Sequence, residues 1–180
     1  MTEVVDLTQA LCRISHPESL FAIGLTSGLG SIAYSVVAVS SDPMVKRFEV
    51  MPGPRKKCNE PHRRYKAHRL MFEIIFDRWP PAVIGLGPPA NAKEPLEWIA
   101  FMRAAVFEMC KPLQLPVVLF DTDQHLKQCL GAPSPRGGPS LKKLLQRELP
   151  SFRSDKQSMI RATASAIGGA VYIRNREEDR

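Results

Sequence analysis

The chain has 180 residues, of which 44% are hydrophobic, and this length and composition suit one soluble globular domain. Its formal net charge of +7 and its pI near 9.5 favour polyanionic partners, although solvated lysines would give the same balance. No apolar run approaches the roughly 18 residues of a membrane-spanning helix, and Glu3 and Asp6 occupy the region that is basic in a secretory signal. Neither a membrane protein nor a secreted protein is therefore expected.

Three strands and a short leader are predicted for the first part of the chain. Residues 1–19 form the leader, with one helical stretch. Leu20–Thr26 is almost continuously apolar, as in a strand that is covered on both faces. After a glycine-bearing turn, Ser31–Ser40 is rich in Val and Ala and is predicted to be the antiparallel neighbour of the first strand. Lys46–Met51 alternates charged and apolar residues, which favours a more exposed third strand.

The middle of the chain alternates helices with buried strands. Apolar residues recur with helical spacing over His62–Arg78, and Pro80 ends that helix because proline cannot continue the hydrogen-bond ladder. Ala82–Leu86 is a short buried strand, and Pro95–Cys110 is a second amphipathic helix. Pro116–Phe120 is the fifth strand.

Three further helices are predicted for the last third of the chain. The polar run 121–123 offers an N-cap for a short helix, and Ser140 caps a second helix, Leu141–Leu149. A longer helix covers Lys156–Arg174, and residues 175–180 are a polar, frayed tail. This order predicts an RNase H-like three-layer α/β/α domain over residues 20–174. Its five-stranded mixed sheet has strands 1–3 antiparallel and the buried strands 1, 4 and 5 parallel.

The four cysteines and the four histidines have no spacing typical of zinc sites or of a disulfide framework. Cys12, Cys58, Cys110 and Cys129 are better explained as buried or free thiols. An intracellular, reducing compartment is therefore expected.

The element order and two segments resemble the RuvC-type Holliday junction resolvases of the RNase H-like superfamily. The first segment is Lys127-Gln128 with Gly131, which leads through a Gly/Pro/Ser-rich loop to the helix that starts after Ser140. The second is the small-residue helix Ala162–Ala170, which is similar to the alanine-rich last helix of the family. The resemblance implies a symmetric homodimer that binds branched DNA.

Active members of that family hold two metal ions with four carboxylates. One carboxylate comes from strand 1, one from the end of strand 4 and two from the start of the last helix. Carried onto this chain, these positions fall on Thr26, Leu86 (or its neighbours Gly85 and Gly87), Ala162 and Ser165. Mg²⁺ prefers anionic oxygen ligands, which these residues lack, and Arg161 adds a positive charge beside them. We therefore expect no catalytic residue, no metal, no cofactor and no enzymatic activity.

Basic residues are the candidates for nucleic-acid contact. Lys127 matches a family position that faces a DNA phosphate, and contacts of this kind give shape-tolerant, salt-sensitive binding. For any single residue, a solvated helix face is the simpler interpretation. The full candidate set is Lys56, Lys57, Arg63, Arg64, Lys127, Arg136, Lys142 and Lys143.

Three functions remain open at this point. The leading interpretation is an inactive RuvC-like domain that binds structured nucleic acid, with branched DNA favoured over RNA and a role in recombination. The second is a protein-interaction subunit of a larger nucleic-acid-processing assembly. The third is an active metal-dependent nuclease with relocated acids such as Asp121 and Asp123, although helix capping explains those acids more simply.

Overall fold

The structure is a computed structural model that describes residues 21–28, 31–38, 44–52, 60–90, 93, 95–134 and 137–178. The predicted leader and the candidate residues Lys56, Lys57 and Arg136 lie outside the described residues. Arg64 lies within a described helix, but its side chain is not described.

Five strands form one mixed sheet in the order β3-β2-β1-β4-β5. β1 (Phe21–Gly28), β2 (Ser31–Ala38) and β3 (Met44–Pro52) pair in antiparallel fashion. β4 (Pro81–Leu86) and β5 (Val117–Leu119) extend the sheet on the other side of β1, with both pairings parallel. The predicted fold class and the predicted strand directions are therefore confirmed.

The helices follow the strands in the predicted order. α1 (Pro61–Arg78) precedes β4, and α2 (Leu96–Cys110) connects β4 to β5. α3 (Asp123–Cys129) and α4 (Leu141–Glu148) begin after Thr122 and Ser140, whose side chains cap them. α5 extends over Gln157–Glu178, so the prediction of a frayed tail after Arg174 is wrong for residues 175–178. Arg and Glu are good helix formers, and no Pro or Gly interrupts this segment.

The sheet separates two hydrophobic cores because successive side chains of a strand point to opposite faces. On one face, α1 and α2 pack on Ile23, Leu25, Ile84 and Leu86. On the other face, α3, α4 and α5 pack on side chains that include Ala22, Val83, Val118 and Phe120. The domain is therefore a three-layer α/β/α structure, as predicted.

Helix α5 lies unusually close to the sheet. A Cβ atom on Gly24 would stand 1.8 Å from the carbonyl oxygen of Ala162, and one on Gly85 would stand 1.9 Å from that of Ser165. The absence of side chains at these two glycines therefore lets the start of α5 contact β1 and β4 directly. Among the described residues, no helix is long and apolar enough to cross a membrane.

Candidate functional site at the carboxyl edge of the sheet

The carboxyl ends of the parallel strands β1, β4 and β5 lie at one edge of the sheet, which we call the carboxyl edge. In open α/β sheets, ligands bind outside this edge. Thr26 lies near the end of β1, Gly87 directly follows β4, and Asp121 follows β5. The first turns of α5 carry Arg161 to the same place, where its side chain pairs with the start of α3. The structure therefore brings four segments of the chain to one site.

The strand alternation decides which predicted positions share this site. Thr26 and Ser165 are fully buried, and a Cβ atom on Gly87 would stand 2.3 Å from the Ser165 hydroxyl oxygen. Leu86 instead packs in the core beneath α1 and α2, on the opposite face of the sheet. Leu86 therefore does not share the site with Thr26 and Ser165. Its neighbours Gly85 and Gly87 face α5, because adjacent residues of a strand point to opposite sides.

The segment after β4 lies along the end of β1 and is held there by hydrogen bonds. The Gly87 amide donates to the Leu25 carbonyl at 2.8 Å, and the Ala90 amide donates to the Ser27 carbonyl at 2.6 Å. Between them, the buried Thr26 hydroxyl donates to the carbonyl of Pro88. The hydroxyl at the predicted first carboxylate position is thus engaged with the backbone.

Arg161 is the central side chain of the site. Its Nε and Nη2 donate to the two carboxylate oxygens of Asp123 at 2.8 and 2.9 Å, and its Nη1 donates to the Pro89 carbonyl at 2.6 Å. Its side chain is only 20% exposed. The backbone carbonyl of Arg161 accepts a 2.7 Å hydrogen bond from the Ser165 hydroxyl. One residue therefore contacts α3, the segment after β4 and the next turn of α5.

Sequence reasoning missed the partner of Arg161. It placed Arg161 beside the site as an isolated positive charge, and it explained Asp123 as a capping residue. The cap is in fact the Thr122 side chain, which leaves the Asp123 carboxylate available to Arg161. The neighbouring Asp121 carboxylate is also paired, with the Arg103 guanidinium of α2 at 3.2 Å. Both acids that a relocated metal site would use therefore have cationic partners.

The described residues of this edge do not fit divalent metal ions. Mg²⁺ requires several anionic or carbonyl oxygen ligands. Here the Thr26 and Ser165 hydroxyls donate to backbone carbonyls, and Arg161 brings a fixed positive charge. In the part of the chain that the structure describes, no three His, Cys, Asp or Glu side chains come together as a possible metal site.

The basic candidates divide between the two faces of the sheet. Lys127 on α3 and Lys142 and Lys143 on α4 lie on one face, and these two helices contact each other. Arg63 lies on α1, on the opposite face, and forms an exposed ion pair with Glu60. Lys142 pairs with Asp155, whereas the Lys143 side chain is exposed. The structure therefore groups three of the candidates and separates Arg63 from them.

The two described cysteines are free thiols that the protein interior protects. Burial raises the pKa of the Cys110 thiol to about 12, and burial also raises the pKa of Cys129. The thiolate is the nucleophilic form of cysteine. Burial therefore disfavours the nucleophilic thiolate form at both residues.

No protein-family model and no curated protein sequence matches the chain. Among solved structures, Thermus thermophilus RuvC in complex with a Holliday junction substrate matches with a TM-score of 0.66 at 16% identity, over 87% of this chain and 96% of that chain. A second T. thermophilus RuvC structure gives a TM-score of 0.70 at the same identity and coverage. The chain has a RuvC-like fold. The yeast mitochondrial Holliday junction resolvase matches with a TM-score of 0.62 at 12% identity, over 96% of this chain and 86% of that chain.

These RuvC-like matches correct one prediction. We predicted from the four missing carboxylates that the chain is not an enzyme. The yeast protein that it matches along most of its length is a Holliday junction resolvase, and a matched RuvC structure holds a junction substrate. That prediction is therefore contradicted, because the matched proteins include a resolvase and a structure that holds a junction substrate.

Proposed function

We propose that this chain binds branched nucleic acid, with a four-way DNA junction as the preferred ligand. The observation that carries the proposal is the RuvC-like fold over 87% of the chain, since one of the matched proteins was solved with a Holliday junction substrate. The net charge of +7 supports a polyanionic ligand. We also propose that the protein works in a reducing intracellular compartment, because Cys110 and Cys129 are free thiols.

The contact surface that we propose is centred on α3 and α4. Lys127, Lys142 and Lys143 lie there on one face of the sheet. Arg63 is on the other face and therefore belongs to a separate contact, such as one with a second arm of the junction. Lysine contacts to phosphates release counterions, so affinity falls steeply as salt rises.

A salt series with matched variants tests this proposal. Gel shifts with a four-way junction, a linear duplex and a single strand of equal length should show the tightest binding to the junction. Lys127→Gln and Lys143→Gln should each weaken binding and lower the salt slope by about 1. Lys46→Gln is the control, because Lys46 is exposed on β3, at the opposite edge of the sheet from β5, and its substitution removes the same charge. Equal affinity for all three ligands, or equal losses in all three variants, would contradict the proposal.

Junction cleavage is a second candidate, favoured by the matches to resolvases. Asp121 and Asp123 are the candidate acids for cleavage at the carboxyl edge, although each of them pairs with an arginine. Denaturing gels with labelled junctions in Mg²⁺ or Mn²⁺ test cleavage directly. Products that disappear in the double variant Asp121→Asn with Asp123→Asn would assign cleavage to these acids. Products that persist in that variant would assign cleavage to other residues. If the wild-type protein gives no products, junction binding without cleavage is the function that remains.

We also propose that the chain forms a homodimer through α2, in preference to assembly with a different protein. Leu96 is 83% exposed and Phe107 is 45% exposed, and the exposed residues Ala100 and Ala104 lie between them on one side of the helix. An antiparallel second copy of α2 would place Leu96 against Phe107 and alanine against alanine, as a two-fold interface requires.

Light scattering tests the dimer. Phe107→Asp should convert a dimer into a monomer, whereas Leu113→Asp, at an exposed leucine beyond the end of α2, should leave the mass unchanged. A wild-type monomer that co-purifies with another protein would favour the assembly alternative.

A further inference from the structure

The carboxyl edge contains a fixed positive charge where, by the resemblance, the family uses metal ions. We propose that the guanidinium of Arg161 is a built-in cation that cross-links α5, α3 and the segment after β4, so that this edge is held together without divalent ions. This inference concerns how the edge is held together, and it does not depend on which nucleic acid the chain binds.

The geometry of Arg161 is that of a cross-link. A guanidinium has five N–H donors in a planar fork, and three of its nitrogens here reach two separate segments of the chain. Nε and Nη2 hold Asp123 of α3 in a bidentate pair, and Nη1 holds the carbonyl of Pro89. Bidentate charge-assisted pairs of this kind are among the stronger hydrogen bonds in proteins.

Two hydroxyl groups extend the network to β1 and along α5. The Thr26 hydroxyl ties the end of β1 to Pro88, which precedes the residue that Arg161 holds. The Ser165 hydroxyl donates to the backbone carbonyl of Arg161 itself. Thr26 and Ser165 stand at two of the positions where the resemblance places metal-binding carboxylates, so the same elements are joined without a divalent ion.

The charge balance of the site supports this assignment. Four clustered carboxylates repel one another and are held in their ionised form by cations. The corresponding positions in this chain are neutral, and Arg161 compensates the charge of the neighbouring Asp123 at 2.8 Å. Lysine would not serve equally well, because its ammonium is a point charge that cannot make the same bidentate fork.

Thermal unfolding of the wild-type protein provides the first test. An ion that binds the folded state raises its unfolding midpoint. We expect the midpoint to be the same, within about 1 °C, in EDTA, in millimolar Mg²⁺ and in millimolar Mn²⁺. A rise with either ion that disappears in EDTA would overturn the proposal, and this measurement requires no variant to fold.

A double-mutant cycle provides the second test. Arg161→Ala and Asp123→Asn should each shift the unfolding equilibrium towards the unfolded state by about 10- to 100-fold, because each leaves a partly buried charged group without its partner. The double variant should lose much less than the product of the two effects. Arg161→Lys should fall between the wild type and Arg161→Ala.

The exposed pair of Arg69 and Glu73 on α1 is the control for a second double-mutant cycle. The coupling between its two substitutions should change the unfolding equilibrium by no more than about 3-fold. The proposal would be overturned if the double variant lost as much stability as the product of the two single effects predicts. An Arg161→Lys variant as stable as the wild type would also overturn it. Both tests are made without nucleic acid. Their failure is therefore distinguishable from a failure to bind junctions.

Discussion

The contact between α5 and the sheet makes Gly85→Ala the most informative stability variant. The added Cβ would stand 1.9 Å from the Ser165 carbonyl oxygen, whereas Cβ contacts below 3.0 Å essentially do not occur. The helix or the strand would therefore have to move by about 1 Å, and the clashing atom belongs to a helical backbone that cannot rotate away. Overpacking ordinarily costs about 1–3 kcal/mol, and we expect about 3 kcal/mol or more here because backbone must shift. For a chain of this size, that corresponds to a fall of about 6–12 °C in the midpoint of thermal unfolding.

Urea unfolding followed by circular dichroism measures this loss, with Gly137→Ala as the matched control. A Cβ on Gly137 would meet nothing within 4 Å, so that variant should stay within about 0.5 kcal/mol of the wild type. A free energy of unfolding for Gly85→Ala within about 1 kcal/mol of the wild-type value, with an unchanged m-value, would contradict this prediction. In that case α5 would not be packed against β4 as tightly as the structure indicates.

Three further predictions concern buried groups. Because burial raises the pKa of Cys110 to about 12, its alkylation at pH 8, followed by peptide mass spectrometry, should require unfolding by urea. Phe72→Ala should cost about 3–5 kcal/mol in urea unfolding, because Phe72 is fully buried, whereas Leu70→Ala on the exposed side of α1 should cost under about 1 kcal/mol. Thr26→Val should cost about 1–3 kcal/mol in the same assay, because it removes the hydroxyl that satisfies the Pro88 carbonyl.

Most of the architecture could be predicted because strands and helices are indicated by hydrophobic patterns within short segments of the sequence. Continuous apolar runs marked β1 and β4, and helical periodicity marked α1 and α2 within one residue of their observed ends. The small residues of α5 between Ala162 and Ala170 also supported the family resemblance. The end of α5 was misjudged because a polar composition was taken as a sign of fraying, although Arg and Glu favour helices.

The site could be predicted only in part, because it depends on contacts between distant positions and on strand facing. Arg161 and Asp123 are 38 residues apart, and no local pattern links them. A shift of one residue along a strand reverses the face that a side chain occupies. Leu86, the residue predicted for the second carboxylate position, therefore lies in the core on the opposite face of the sheet, whereas its neighbour Gly87 faces Ser165.

The neutrality of the carboxyl edge has a consequence for nucleic-acid binding. A phosphate that approached this edge would meet Arg161 already engaged by Asp123 and by a backbone carbonyl, instead of the divalent ions that the family uses. Attraction for the phosphate backbone must then come from outside the edge. On the α5 side of the sheet, the helices α3 and α4 carry Lys127 and Lys143. Removing either lysine should therefore lower the salt dependence of junction binding, whereas Arg161→Ala should leave that salt dependence unchanged.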